Sequence, residues 1–181
     1  AQIDDAARIP EYMNRAFSIA TSGRPGPVVL ALPEDMLTDQ TRAADAGPTQ
    51  IVTTSPATAD VSRMAELLES AAQPLVIVGG SGWSEDTRLQ LQDFCAANNL
   101  PLVNSFRCQD FIDNEHPNYI GDLGIGVNPV LVQRIKAADC LLAIGARLGE
   151  MTTGGFTLID IPCPRQSMIH LHPGADELGH I

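Results

Sequence analysis

The chain has 181 residues, 44% of them apolar and 18% charged, so it can bury a real core without a disulfide or metal staple. Its 22 acidic residues against 11 basic ones leave a formal charge of −11, a field that excludes nucleic acid and anionic membrane surfaces as partners. Aromatics make up only 4%, and the apolar content is mostly Ala, Leu, Ile and Val, which suits helices stacked on a buried parallel sheet.

Ile9, Tyr12, Met13, Ala16, Phe17 and Ala20 recur at helical spacing and predict a helix within residues 1–22, with Pro10 tolerated in its first turn. The run from Gly23 to Pro27 breaks it, and Val28 to Leu32 reads as a short buried parallel strand ended by Pro33. From Thr38 to Asp60 the composition turns to Thr, Ala, Asp, Pro and Ser with no periodicity. Such a stretch is longer than most loops inside one compact domain and reads as a linker. The expected organisation is therefore a first piece over 1–37, a linker over 38–59 and a main domain over 60–181.

In the main domain Asp60 is a natural N-cap for a helix whose face carries Met64, Leu67, Leu68 and Ala71. Leu75 to Val78 forms the next apolar strand and runs into Gly79-Gly80-Ser81-Gly82. A helix through Leu89, Leu91, Phe94 and Ala97 follows, closed by Asn98-Asn99, and then a strand over Leu100 to Asn104. A loop-rich segment reaches Gly126. Asn128-Pro129 opens a helix through Leu131, Val132 and Ile135, with Asn as cap and Pro in the first turn. Cys140 to Ile144 and Ser167 to His172 complete the strands. Apolar strands alternating with helices predict an α/β fold with a doubly wound parallel sheet.

In such a sheet, ligands bind beyond the carboxyl ends of the strands. Three segments fall there: Gly79-Gly80-Ser81-Gly82, Gly121 to Gly126, and Gly145-Ala146-Arg147. Glycines let a backbone approach a phosphate, and an Arg just past a strand can bond one bidentately. Each segment taken singly also reads as a plain turn, a surface loop, or an Arg satisfied by Glu150 or a surface carboxylate. His170 and His172 share one strand face, but no third ligand has metal-site spacing, so no metal is expected. Cys95, Cys108, Cys140 and Cys163 contain no C-x-x-C pair, and Cys95 and Cys140 sit in apolar segments as small hydrophobes. A reducing, cytoplasmic setting is the simplest reading. No signal pattern or run of membrane-spanning length is visible, and the lack of an initiator Met suggests a piece cut from a longer polypeptide.

Three stretches together resemble the acetolactate-synthase-like branch of the thiamine-diphosphate-dependent enzymes, over nearly the whole chain. Phe17 to Leu37, with Ser22-Gly23-Arg24-Pro25-Gly26-Pro27 and Leu32-Pro33-Glu34-Asp35, is similar to the end of that family's pyrimidine-binding domain. Gln73 to Ser81 is similar to the first strand and glycine turn of its central domain, and Ala138 to Arg147 with Ile169 to Pro173 to the later part. The resemblance implies a Rossmann-like central domain of a 2-oxo-acid decarboxylase or carboligase, acting as a spacer and inactive alone. It implies thiamine diphosphate and Mg²⁺ bound by absent parts of a homo-oligomeric parent, whose other domains are this chain's partners.

The resemblance further implies FAD or an ADP moiety as an occupant of the central domain in some members, with Arg24, Gly79, Gly80, Ser81, Ser105, Gly124, Arg147 and Glu177 as candidate contacts. The chain departs from FAD-binding relatives at Gly124-Ile125-Gly126-Val127-Asn128, at Arg147-Leu148-Gly149-Glu150-Met151 and at His170-Leu171-His172-Pro173. FAD, an ADP-like group and an empty structural domain stay open at this point. A free-standing NAD/FAD-type nucleotide-binding module is the alternative reading.

Overall fold

A computed structural model describes residues 1–180. The chain divides into two compact units, Ala1–Ser55 and Pro56–Ile181.

In the first unit the Asp5 carboxylate accepts the Ala7 amide at 2.9 Å and starts a 3-10 turn over Ala6–Arg8. Helix α1 (Ile9–Thr21) follows with Pro10 in its first turn. The expected strand over Val28 to Leu32 is not a sheet strand. It makes one parallel bridge, Gln2 to Ala31, and Val29 is 78% exposed. The reason is lateral: this segment is bonded along its edge by residues 1–3, the Ala1 ammonium donating to Val29 O, the Ile3 amide to Ala31 O and the Ala31 amide to Ala1 O. A small core gathers Ile3, Ala6 and Met36, with Ile9, Tyr12 and Leu30 packed on it. Helix α1 has no fully buried residue, and Phe17 and Ile19 stand open. Residues 39–57 carry no regular element, and Thr49 Oγ1 donates to Asn14 Oδ1 at 2.8 Å.

The second unit begins with α2 (Thr58–Ser70), whose N-cap is Ala57 without a side-chain bond. Asp60, expected as the cap, is the third residue of the helix, in its first turn, where its charge complements the helix dipole. The order then runs β1 (Pro74–Val78), α3 (Glu85–Ala97), β2 (Leu102–Asn104), β3 (Tyr119–Asp122), α4 (Pro129–Ala137), β4 (Cys140–Ile144) and β5 (Ser167–Leu171). All four pairings are parallel, in the order β3-β2-β1-β4-β5. This is the expected doubly wound α/β sheet. Strand β3 is the addition: with an exposed Ile120 and a Gly121 in four residues, it lacks the apolar run that marks the others.

The period of two along the strands sorts the core into two layers. Leu75, Ile77, Leu141 and Ala143 face one side, where Leu131 and Ile135 of α4 and Leu158 and Ile159 pack. Val76, Val78, Cys140 and Leu142 face the other, under Leu91 and Cys95 of α3 and Met64, Leu67, Leu68 and Ala71 of α2. Fully burying each such Leu, Ile or Val contributes roughly 1.5–3 kcal/mol. The inward stripe of α3 is Leu91, Gln92 and Cys95, not the expected Leu89 and Phe94, which are 54% and 39% exposed. Burial pushes the Cys95 thiol up to about 11, so Cys95 behaves as a hydrophobe.

Candidate functional site

The chain leaves β1 toward β2 and leaves β4 toward β5, so the order of strands reverses between β1 and β4. That gap, at the carboxyl edge, is where an open α/β sheet offers a crevice. Two of the three glycine segments meet there. Gly79 follows β1 directly and donates its amide to Ile144 O at 3.1 Å, and Gly145 follows β4 and donates to Leu171 O at 2.7 Å. Ser105 follows β2 and donates its amide to Val78 O at 2.8 Å.

These turns are packed on one another. A Cβ at Gly79 would overlap Ser105 Oγ, and one at Gly80, whose φ is +87°, would overlap the Gly145 carbonyl. A Cβ at Gly145, at φ +66°, would lie 2.5 Å from Gly79 O and 3.2 Å from Trp83 Nε1. The Trp83 indole donates to Gly79 O at 2.9 Å, and its ring meets Phe111 at 6.1 Å between centroids. Ser81 is exposed beside this turn. Trp83 was absent from the sequence-derived set, although a lone Trp four residues past Gly79, in the same loop, is the signal that pointed to it.

Arg147 leaves β4 with its side chain 60% exposed, and its Nε lies 3.1 Å from Glu177 Oε2. Glu177 ends the 3-10 turn Ala175–Glu177, and its side chain is only 5% exposed. Of the carboxylates open to this Arg in the sequence, Glu150 or another, the one it meets is Glu177. The His170 ring donates from Nε2 to Ala146 O at 2.9 Å. Burial holds the His170 pKa below its ordinary value, the Ala146 bond opposing in part and His172 adding to the depression. His172 Nδ1 accepts the Gly174 amide at 3.0 Å, and the two imidazoles are 5.8 Å apart. Among the described residues no group of three His, Cys, Asp or Glu side chains could hold a metal ion.

The third segment serves a neighbouring loop. A Cβ at Gly124 would come within 2.5 Å of the Phe106 ring, so the chain leaving β3 rests on the residue after Ser105. Asn128 then caps α4 as expected, its Oδ1 accepting the Val130 amide at 2.9 Å. Arg24 belongs to the first unit, on an exposed bend after α1.

The amino edge of the same sheet is held by charged side chains. Asp139, just before β4, accepts the Ala72 and Gln73 amides at 2.7 and 2.9 Å, and Arg134 Nη2 donates to Pro74 O at 2.8 Å. Desolvation acts upward on the Asp139 pKa, but the Gln73, Ala72, Asp139 and Cys140 amides outweigh it and hold the carboxyl below its ordinary value. A cavity of about 430 Å³ lies at this edge, lined in part by Pro74, Asn118 and Arg134.

Comparison with known proteins matches residues 61–181 to the family model of the thiamine pyrophosphate enzyme central domain. The chain is 28% identical over 172 residues to the acetolactate synthase isozyme 2 large subunit of Escherichia coli K12, covering 93% of this chain and 30% of that subunit. It is 30% identical over 169 residues to the isozyme 3 large subunit of the same organism, covering 90% and 29%. Against the acetolactate synthase of Mycobacterium leprae the identity is 27% over 175 residues, covering 94% and 28%. The chain thus spans about three-tenths of the length of these curated relatives. A parallel sheet with helices on both faces, glycine turns meeting at its switch point, and a family match over most of that unit lead to one conclusion: the chain belongs to the thiamine pyrophosphate enzyme family and carries its central domain.

Proposed function

We propose that this chain is the central, non-catalytic part of an acetolactate-synthase-like 2-oxo-acid decarboxylase or carboligase. The observation that carries this reading is the length of the match. It runs over 93% of the chain, across both compact units, to an acetolactate synthase large subunit. A free-standing nucleotide-binding module would call for a match to the second unit alone.

Thiamine diphosphate supplies the carbanion-stabilising chemistry of such enzymes when bound. The residues present here do not fit it or its Mg²⁺. No Gly-Asp-Gly occurs in the sequence, and no metal-holding trio occurs among the described residues. Those sites therefore belong to other parts of the parent polypeptide. This domain's contribution is mechanical: a sheet covered on both faces holds the neighbouring parts at fixed spacing. We place the parent in a reducing cytoplasm as a homo-oligomer. No helix among the described residues is long and apolar enough to cross a membrane.

The test is an assay of the whole polypeptide with 2-oxo acids. Turnover that requires thiamine diphosphate and is lost on chelating Mg²⁺ supports the reading. No binding of thiamine diphosphate and no turnover would overturn it.

A further inference from the structure

Dinucleotides bind a doubly wound sheet with the diphosphate seated on the turn after β1 and on the helix N-terminus that follows. Four features of this chain oppose such a seat. The first turn of α3 carries Glu85 and Asp86, and the Ser84 side chain already accepts the Thr87 amide there. Two carboxylates at a helix N-terminus satisfy its dipole and repel a second anion. The Trp83 indole folds back on the glycine turn and bonds Gly79 O. Gly80 backs onto the Gly145 carbonyl, so the missing side chains make room for backbone, not for a ligand. Finally, the Arg147 guanidinium, the first cation in the chain after β4, is engaged by the buried Glu177.

We propose that the crevice between β1 and β4 is closed by the protein's own groups, so that the domain takes neither FAD nor ADP and works as a ligand-free spacer. Gly79, Gly80, Ser105 and Gly145 then form an interlock between strand ends, with Trp83 as its cover. FAD does not fit these residues: the phosphates would face Glu85 and Asp86 at the start of α3, the helix that follows the turn after β1. The closure rests on the proposed spacer role, and its test is separable from the test of that role.

The experiment uses the whole purified polypeptide. Its visible spectrum is recorded, acid-released nucleotides are separated chromatographically, and its thermal midpoint is measured with and without saturating FAD or ADP. The expected result is no flavin band, no released adenine nucleotide and an unchanged midpoint with either probe. A stoichiometric flavin or ADP, or a midpoint that climbs with either probe, would overturn the closure. Turnover of a 2-oxo acid with thiamine diphosphate is measured on the same sample. Its absence counts against the enzyme reading alone, whereas bound flavin with intact turnover counts against the closure alone.

Discussion

Gly80 and Gly145 meet back to back, each in the left-handed region, so that a methyl group on Gly80 would collide with the Gly145 carbonyl. An L-residue at either position is strained by φ alone, and here the overlap is with backbone that cannot swing aside. Gly80→Ala and Gly145→Ala are each expected to destabilise the fold by about 3 kcal/mol. Because both act on the same contact, the double variant should lose less than the sum of the singles. Urea unfolding of the four proteins checks this. Gly82, at φ +83° with open space around its Cβ position, isolates the conformational part of the effect. Equal losses at positions 80 and 82 would show that the interlock itself contributes nothing.

Arg147 and Glu177 form an ion pair of unequal partners, one 60% exposed and the other buried. Truncating Arg147 to Ala leaves a buried carboxylate short of one cationic contact, at an expected cost of about 1–2 kcal/mol after discounting for the exposed end. Glu150→Ala should change stability by less than about 0.5 kcal/mol, as for an ordinary surface site. A chemical denaturation midpoint reads both. If the position-150 variant proved the costlier, Glu150 would be the partner in solution.

How much of this was legible beforehand depended on the kind of signal. Strand β4 was readable to the residue, because five apolar residues between Asp139 and Gly145 admit no other element at that length. The cap of α4 was equally plain, since Asn before Pro has a single local job. Strand β3 stayed hidden because its place in the sheet comes from pairing with β2, not from its own composition. Val28 to Leu32 erred in the opposite direction: its composition is that of a strand, but lateral partners decide whether a sheet forms. The glycine turns were located correctly by their position after β1 and β4. What they touch could not be read from the sequence, because Trp83, Gly145 and Ser105 come together only through the sheet order.

Within the second unit two groups give stability a pH dependence in the acid range, and both act in the same direction. His170 is held neutral by burial, so its folded pKa lies below the ordinary 6.5. The unfolded chain then binds more protons, and stability is lost as pH falls from about that value through the folded pKa. Asp139 is the carboxylate case: its folded pKa is below 3.8, so its contribution is present above that value and is lost as pH falls through the folded one. Stability should therefore decline on acidification in two steps. His170→Gln is expected to flatten the upper step and Asp139→Asn the lower. Thermal midpoints across the acid range separate the two, and an unchanged upper step in the position-170 variant would assign it to another group.

The inward face of α3 offers the sharpest test of the packing. Leu89 and Leu91 are two residues apart on one helix, and the bare apolar pattern treats them alike. Leu91 is 8% exposed and sits in the layer with Val76, Val78 and Cys95, whereas Leu89 is 54% exposed. A helical step of two residues turns the chain by roughly 200°, so the two side chains cannot both face the sheet. Leu91→Ala removes buried methyl groups and leaves a void, at an expected cost of about 2–4 kcal/mol. Leu89→Ala removes surface that water already reaches, and Ala is the better helix former, so the expected change is within about 0.5 kcal/mol. Comparable losses at the two positions would mean that α3 is rotated about its axis from the orientation described, which would also displace Ser84, Glu85 and Asp86 at the mouth of the crevice.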